Sequence, residues 1–203
     1  MSVDPARRDL EAIYSNLDRM YNVVAKVVAD TLKSLSEWRV NESLDDHLYL
    51  AENLSAVVEE QATFFIAKYQ PLGPELLEAK SLIRTSYDLY RIARYCREIN
   101  RVIAYTSRGG RVLKPSQQVE RAAEIVASMV GDAYKAFRTR DSSLRMKVEE
   151  TDNMMDNIYD SMLEKIGKVE SLSQTEAVDL LVIRHLERIA DHAVYIARQA
   201  ELR

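Results

Sequence analysis

The chemistry available to this chain begins with two pairs of acids. Asp152 and Asp156 stand four residues apart, and so do Glu187 and Asp191. Residues four apart share one face of a helix, so two helical segments here would each carry two carboxylates side by side. If those helices are antiparallel neighbours, the four acids converge on one patch. Gathered like charges repel, and a divalent or trivalent cation removes that cost. Oxygen donors favour magnesium, calcium, manganese or iron, while His192, next to Asp191, tilts the choice toward iron or zinc. The alternative is that the acids are solvated at the edge of an apolar stripe and ion-paired with Arg184 and Arg188. His192 points well round the helix from Glu187, which suits a partner for an acid or a backbone group. His185 faces away from the carboxylates.

The patterns that are missing narrow the chemistry further. Val182, Ile189 and Leu44 stand three before the three histidines, so no Glu-x-x-His of the di-iron oxidase type occurs. There is no His-Glu-x-x-His, phosphate-cradling glycine loop, dinucleotide turn or EF-hand loop. The five glycines are scattered and offer no nucleophile elbow. The expectation is a protein that is not an enzyme.

Helices must position these acids, and the chain is punctuated for helices. Its 203 residues include only five glycines and four prolines, with 47% hydrophobic residues, so turns are few and elements long. Asp4-Pro5 opens a first helix with Leu10, Ile13, Leu17, Met20, Val24, Val27 and Leu35 on its apolar side, running to about Ser36. Ser43-Leu-Asp-Asp resembles a capping box and opens a second helix to about Tyr69, with Leu50, Leu54, Val57, Val58, Phe64 and Phe65 in period. A third helix runs from Pro74 to about Thr106, and Gly109-Gly110 with Pro115 closes that half. A fourth starts near Ser116. Asp141-Ser142-Ser143 separates it from a fifth that ends near Gly167, and Ser173-Gln-Thr-Glu176 is a capping box for the sixth.

Three helices on each side of the Gly-Gly turn suggest an internal repeat. The segment Asp88-Leu-Tyr-Arg-Ile-Ala-Arg-Tyr-Cys-Arg-Glu-Ile aligns without gaps on His185-Leu-Glu-Arg-Ile-Ala-Asp-His-Ala-Val-Tyr-Ile, sharing Leu, Arg, Ile, Ala and the final Ile. The expected fold is all-α: two tandem three-helix bundles of antiparallel helices, residues 1–108 and 109–203.

The net charge of −4 and interspersed signs exclude a dedicated nucleic-acid binder. No uncharged run approaches the roughly 18 residues of a membrane helix, and no apolar stretch follows the N-terminal charges. With Cys96 as the only cysteine, the expected location is the cytoplasm.

Leu186-Glu-Arg-Ile-Ala-Asp-His-Ala-Val-Tyr-Ile on a last helix, with Asp152-Asn-Met-Met-Asp on the helix before it, resembles the PhoU family of phosphate-uptake regulators. Ala67-Lys-Tyr-Gln-Pro71 also sits where that family has its proline between the second and third helices. The resemblance implies two repeated three-helix bundles with acidic motifs. Carried over by position, Asp152, Asp156, Glu187 and Asp191 are implied metal ligands, with iron as the expectation and zinc, nickel, magnesium or calcium as alternatives.

In the first half, Tyr90 and Arg94 replace the acidic pair of the third helix. Leu48 and Glu52 stand approximately where the second helix should carry its pair. Metal is therefore expected in the second bundle only, with Arg94 paired to Glu52 in the first. The resemblance further implies a regulator that lowers phosphate uptake and starvation signalling, touching the ATP-binding subunit of the transporter and a membrane sensor kinase. A homodimer is the expected assembly. Two other readings stay open: a metal-binding bundle with storage, redox or hydrolytic work, and a regulator of a different transporter.

A basic stripe stands apart from these motifs. Arg84, Arg91, Arg94, Arg97, Arg101 and Arg108 crowd the third helix. They read as salt bridges to neighbouring acids, or as a surface for an acidic partner or an anion such as phosphate.

Overall fold

Proline and capping residues set the helix starts. The structure, a computed structural model, describes residues 4–108 and 113–201, so the Gly109-Gly110 turn lies outside the described residues. Helix α1 (Pro5–Glu37) has proline in its first turn, and the Asp4 carboxylate accepts from the Ala6 N–H at 3.1 Å. Then follow α2 (Leu44–Tyr69), α3 (Pro74–Thr106), α4 (Gln117–Thr139), α5 (Ser142–Ile166) and α6 (Gln174–Arg198), with a short 3-10 turn after α6. At α6 the capping box is complete. The Ser173 hydroxyl accepts from the Glu176 N–H, and the Glu176 carboxylate accepts from the Ser173 N–H. At α2 the expected capping box does not form: Ser43 has helical backbone angles rather than the extended ones of a capping residue, its side chain makes no cap hydrogen bond, and its N–H and hydroxyl donate to Asn41 Oδ1 at 3.0 and 2.9 Å.

Helices α1, α2 and α3 pack on one another, as do α4, α5 and α6, and the two sets meet along α3–α6 and α1–α4. These seams leave α2 and α5 at opposite edges. Leu17, Met20, Leu82, Leu89, Ile92, Met129, Val182 and Ile189 are fully buried in one apolar interior that runs through both bundles.

The edge position of α2 corrects part of its apolar pattern. Leu44, Leu48, Ala51, Leu54, Val58, Ala62 and Phe65 face inward. Leu50, Val57 and Phe64 instead stand 45%, 38% and 62% exposed on the outer face. Both faces of α2 are apolar, so periodicity alone cannot say which one is covered.

Specific polar contacts hold the two bundles in register. On the α1–α4 seam Asp18 accepts from the Tyr134 hydroxyl at 2.6 Å and from Arg138 at 2.9 and 3.1 Å, while Tyr21 stacks on Tyr134. At the end of α4, Arg140 reaches Glu78 of α3, which also accepts from Tyr14 of α1.

Candidate functional site

The packing of α5 against α6 brings Asp152 and Asp156 into the electrostatic range of Glu187 and Asp191. Arg198 of α6 pairs at 2.9 Å with Glu149, one turn before Asp152 on the same face of α5, and its charge partly opposes the rise of the Asp152 carboxyl. Asp152 is half-buried, and burial, followed by the charges of Asp156, Asp191 and Glu187, pushes its carboxyl up to about 6. Burial first, then Asp191, also raises Asp156. Glu187 is raised by burial and Asp191 against the opposing pull of Arg184 and Arg188. One oxygen of Asp152 is buried with no hydrogen-bond partner.

The helix-six pair already holds cations of its own. Arg184 reaches Glu187 at 2.6 Å, and Arg188 reaches Asp191 at 3.1 Å. The ion pairs expected of these two arginines are therefore present, while the α5 pair is left to repel. Among the described residues, no three His, Cys, Asp or Glu side chains gather closely enough to hold a metal ion. The all-oxygen donor set and the orphaned Asp152 oxygen fit a hard cation in chemistry. To ligate one, the carboxylates have to turn away from Arg184 and Arg188 and close toward α5.

The first bundle is built differently. Glu52 accepts a hydrogen bond from the Tyr90 hydroxyl at 3.1 Å, and the Arg94 guanidinium lies over the Tyr90 ring, 6.0 Å from its centroid. Arg94 forms no ion pair with Glu52, which corrects the pairing expected from sequence. The tyrosine one turn earlier on α3 takes the acid and engages the arginine through its π face.

The basic stripe of α3 is likewise only partly neutralised. Arg97 pairs with Asp45 of α2 and Arg101 with Glu98 of its own helix, each at 2.8 Å. Among the described residues, Arg84, Arg91, Arg94 and Arg108 make no ion pair.

Sequence reasoning also missed the acid that His192 meets. On the α3–α6 seam, His192 Nδ1 lies 2.8 Å from Asp88 Oδ1, and both side chains are buried. The repeat alignment held the signal. It equates Tyr95 with His192 and Asp88 with His185. In the structure Tyr95 stacks on His192 at 5.7 Å and lies 6.1 Å from His185. Antiparallel crossing of α3 and α6 sets these repeat equivalents side by side.

Comparison with known proteins agrees with this architecture. Residues 119–200 match the family model described as the PhoU domain. The chain is similar to PhoU proteins along nearly its whole length. It is 25% identical over 197 residues to the phosphate-specific transport system accessory protein PhoU homolog 1 of Thermotoga maritima, covering 92% of this chain and 83% of that one. The Archaeoglobus fulgidus PhoU homolog is 29% identical, over 92% and 88% of the two chains. The PhoU crystal structure from Pseudomonas aeruginosa superposes with a TM-score of 0.85 over 96% of both chains at 23% identity. That of the Streptococcus pneumoniae regulatory protein PhoU gives 0.82 at 18% identity, over 96% of this chain and 94% of that one. The PhoU domain match falls within the second bundle, where the acidic motifs are intact. Among the described residues, no helix is long and apolar enough to cross a membrane.

Proposed function

We propose that this chain is an accessory protein of phosphate transport, a regulatory adaptor that lowers phosphate uptake and starvation signalling through contacts rather than catalysis. The observation that carries this reading is sequence similarity along more than nine-tenths of the chain to accessory proteins of phosphate-specific transport. In this reading it works in the cytoplasm as a homodimer, against the ATP-binding subunit of a phosphate transporter and a membrane sensor kinase. Helical surfaces of this kind act by touching one state of a partner more favourably than another. Tagged protein purified from phosphate-replete and phosphate-starved cells tests it. Recovery of the phosphate transporter's ATPase mainly from replete cells is the expected result. Recovery of another transporter's ATPase assigns the fold a different client and overturns the phosphate role.

The partnerless buried oxygen of Asp152 favours a second property of the same protein. Asp152, Asp156, Glu187 and Asp191 take up a cation, with iron first and zinc, nickel, magnesium or calcium as alternatives. A bound cation supplies the positive charge that offsets repulsion between α5 and α6. Metal analysis of the same eluate, with the Asp152→Asn protein as control, checks it.

A further inference from the structure

We propose that the outward face of α3, carried by Arg84, Arg91 and Arg94, is a docking strip for an acidic segment of a protein partner, an inference that rests on the adaptor reading above. Positions 84, 87, 91, 94, 98 and 101 recur in steps of three and four, so they share one side of the helix. Arg101 and Glu98 neutralise each other there. Arg84, Arg91 and Arg94 remain without an ion pair among the described residues, in a protein whose net charge is −4.

Two of these guanidinium groups are held in place before any partner arrives. Arg91 lies 5.0 Å from the Tyr95 ring centroid and Arg94 6.0 Å from that of Tyr90. Contact with a ring limits the side-chain freedom that binding must remove. Arg91 Nε is buried with no hydrogen-bond partner, although its Nη2 donates to the Tyr95 hydroxyl.

The layout selects the class of partner. From residue 84 to residue 94 is about 15 Å along the axis, so the three cations do not converge on one small anion. Glu52 and Glu59 of α2 border the strip, since Glu52 holds Tyr90 and Glu59 lines the same cleft as Arg84 and Tyr87. A long uniform polyanion such as a nucleic acid meets repulsion at that border. A short segment with carboxylates spaced along it meets the arginines and avoids the acids.

The test uses fluorescein-labelled octaglutamate and the full chain. Anisotropy should show binding at low ionic strength that weakens steeply by about 0.3 M salt. Arg84 and Arg94 are exposed, so the Arg84→Gln/Arg94→Gln protein should keep its helical circular dichroism and bind about three- to tenfold more weakly. Arg121→Gln/Lys135→Gln on α4 removes the same charge and should change binding less than about twofold. Equal losses in both variants, no binding by the wild type, or tighter binding of inorganic phosphate or a short DNA duplex at the strip would overturn the proposal. So would self-association of the wild type by light scattering that the Arg84/Arg94 variant abolishes, because the occupant is then a second copy.

The two readings fail separately in a pull-down from cells. If the Arg84/Arg94 variant recovers the transporter ATPase as well as the wild type does, the strip is wrong and the adaptor reading stands. If neither protein recovers it while octaglutamate still selects these arginines, the adaptor reading fails and the strip stands.

Discussion

Replacing Asp152 by Asn removes one carboxylate from the α5–α6 patch while keeping its shape. In the folded chain this carboxyl is pushed from 3.8 to about 6, by burial and then by Asp156, Asp191 and Glu187. A shift of that size corresponds to about 3 kcal/mol if fully expressed. The side chain is half open to water, which screens it, so about 1 kcal/mol is the expected contribution. The folded protein holds this proton more tightly than the unfolded chain does. Stability from the group is therefore intact below about pH 4 and is lost as the pH rises through about 6.

In chelator-treated protein, Asp152→Asn should then melt about 2–4 °C above the wild type near pH 7.5, and the two curves should converge near pH 4. Thermal unfolding followed by circular dichroism at several pH values reads this directly. The difference between the two proteins isolates Asp152 from groups such as Glu176, whose carboxyl the Lys165 and Ser173 contacts hold down to about 2 and which acts in the opposite sense. Excess manganese should raise the wild-type melting temperature through linkage and leave the variant unmoved. A variant that is less stable than the wild type at neutral pH without metal refutes the repulsion argument.

Other substitutions probe the remaining contacts. His192→Ala leaves Asp88 buried without its partner and should cost about 2–3 kcal/mol in urea unfolding. Ser173→Ala removes the α6 capping box and should cost about 1 kcal/mol. Met155 and Val148 are the only buried side chains of α5 among the described residues. Met155→Ala should accordingly cost about 2–4 kcal/mol and speed amide exchange in α5 before α6. Arg94→Gln should move stability by less than about 0.5 kcal/mol, because Tyr90 rather than Arg94 satisfies Glu52.

Local chemistry explains which features could be read without coordinates. Pro5, Pro74 and the Ser173–Glu176 box act within a few residues of themselves, and the helices begin where they stand. The interior of α4, from Val119 to Phe137, likewise follows from one apolar stripe on an otherwise polar helix. Helix α2 failed that reading because its outward Leu50, Val57 and Phe64 mimic a core face. Ser43 failed as a cap because its backbone is helical, which turns the hydroxyl oxygen away from the first-turn N–H groups, and its own N–H is taken by Asn41. Spacing placed the four carboxylates on adjoining faces, while their engagement by Arg184 and Arg188 depends on rotamers that spacing does not encode. Asp88 and His192 meet only because α3 crosses α6, 104 residues away in the chain.

The double seam between the bundles has a consequence for recognition. Asp18, Tyr134 and Arg138 clamp one side and Asp88 with His192 the other, so neither half can swing about a single hinge line. The acidic patch of the second bundle and the arginine strip proposed on the first are therefore held at one separation. A partner touching both gains the high effective concentration of two linked sites only if its own contacts have the matching separation. A partner with the right chemistry at the wrong spacing would engage one and forfeit the other, so distance itself becomes a determinant of selectivity.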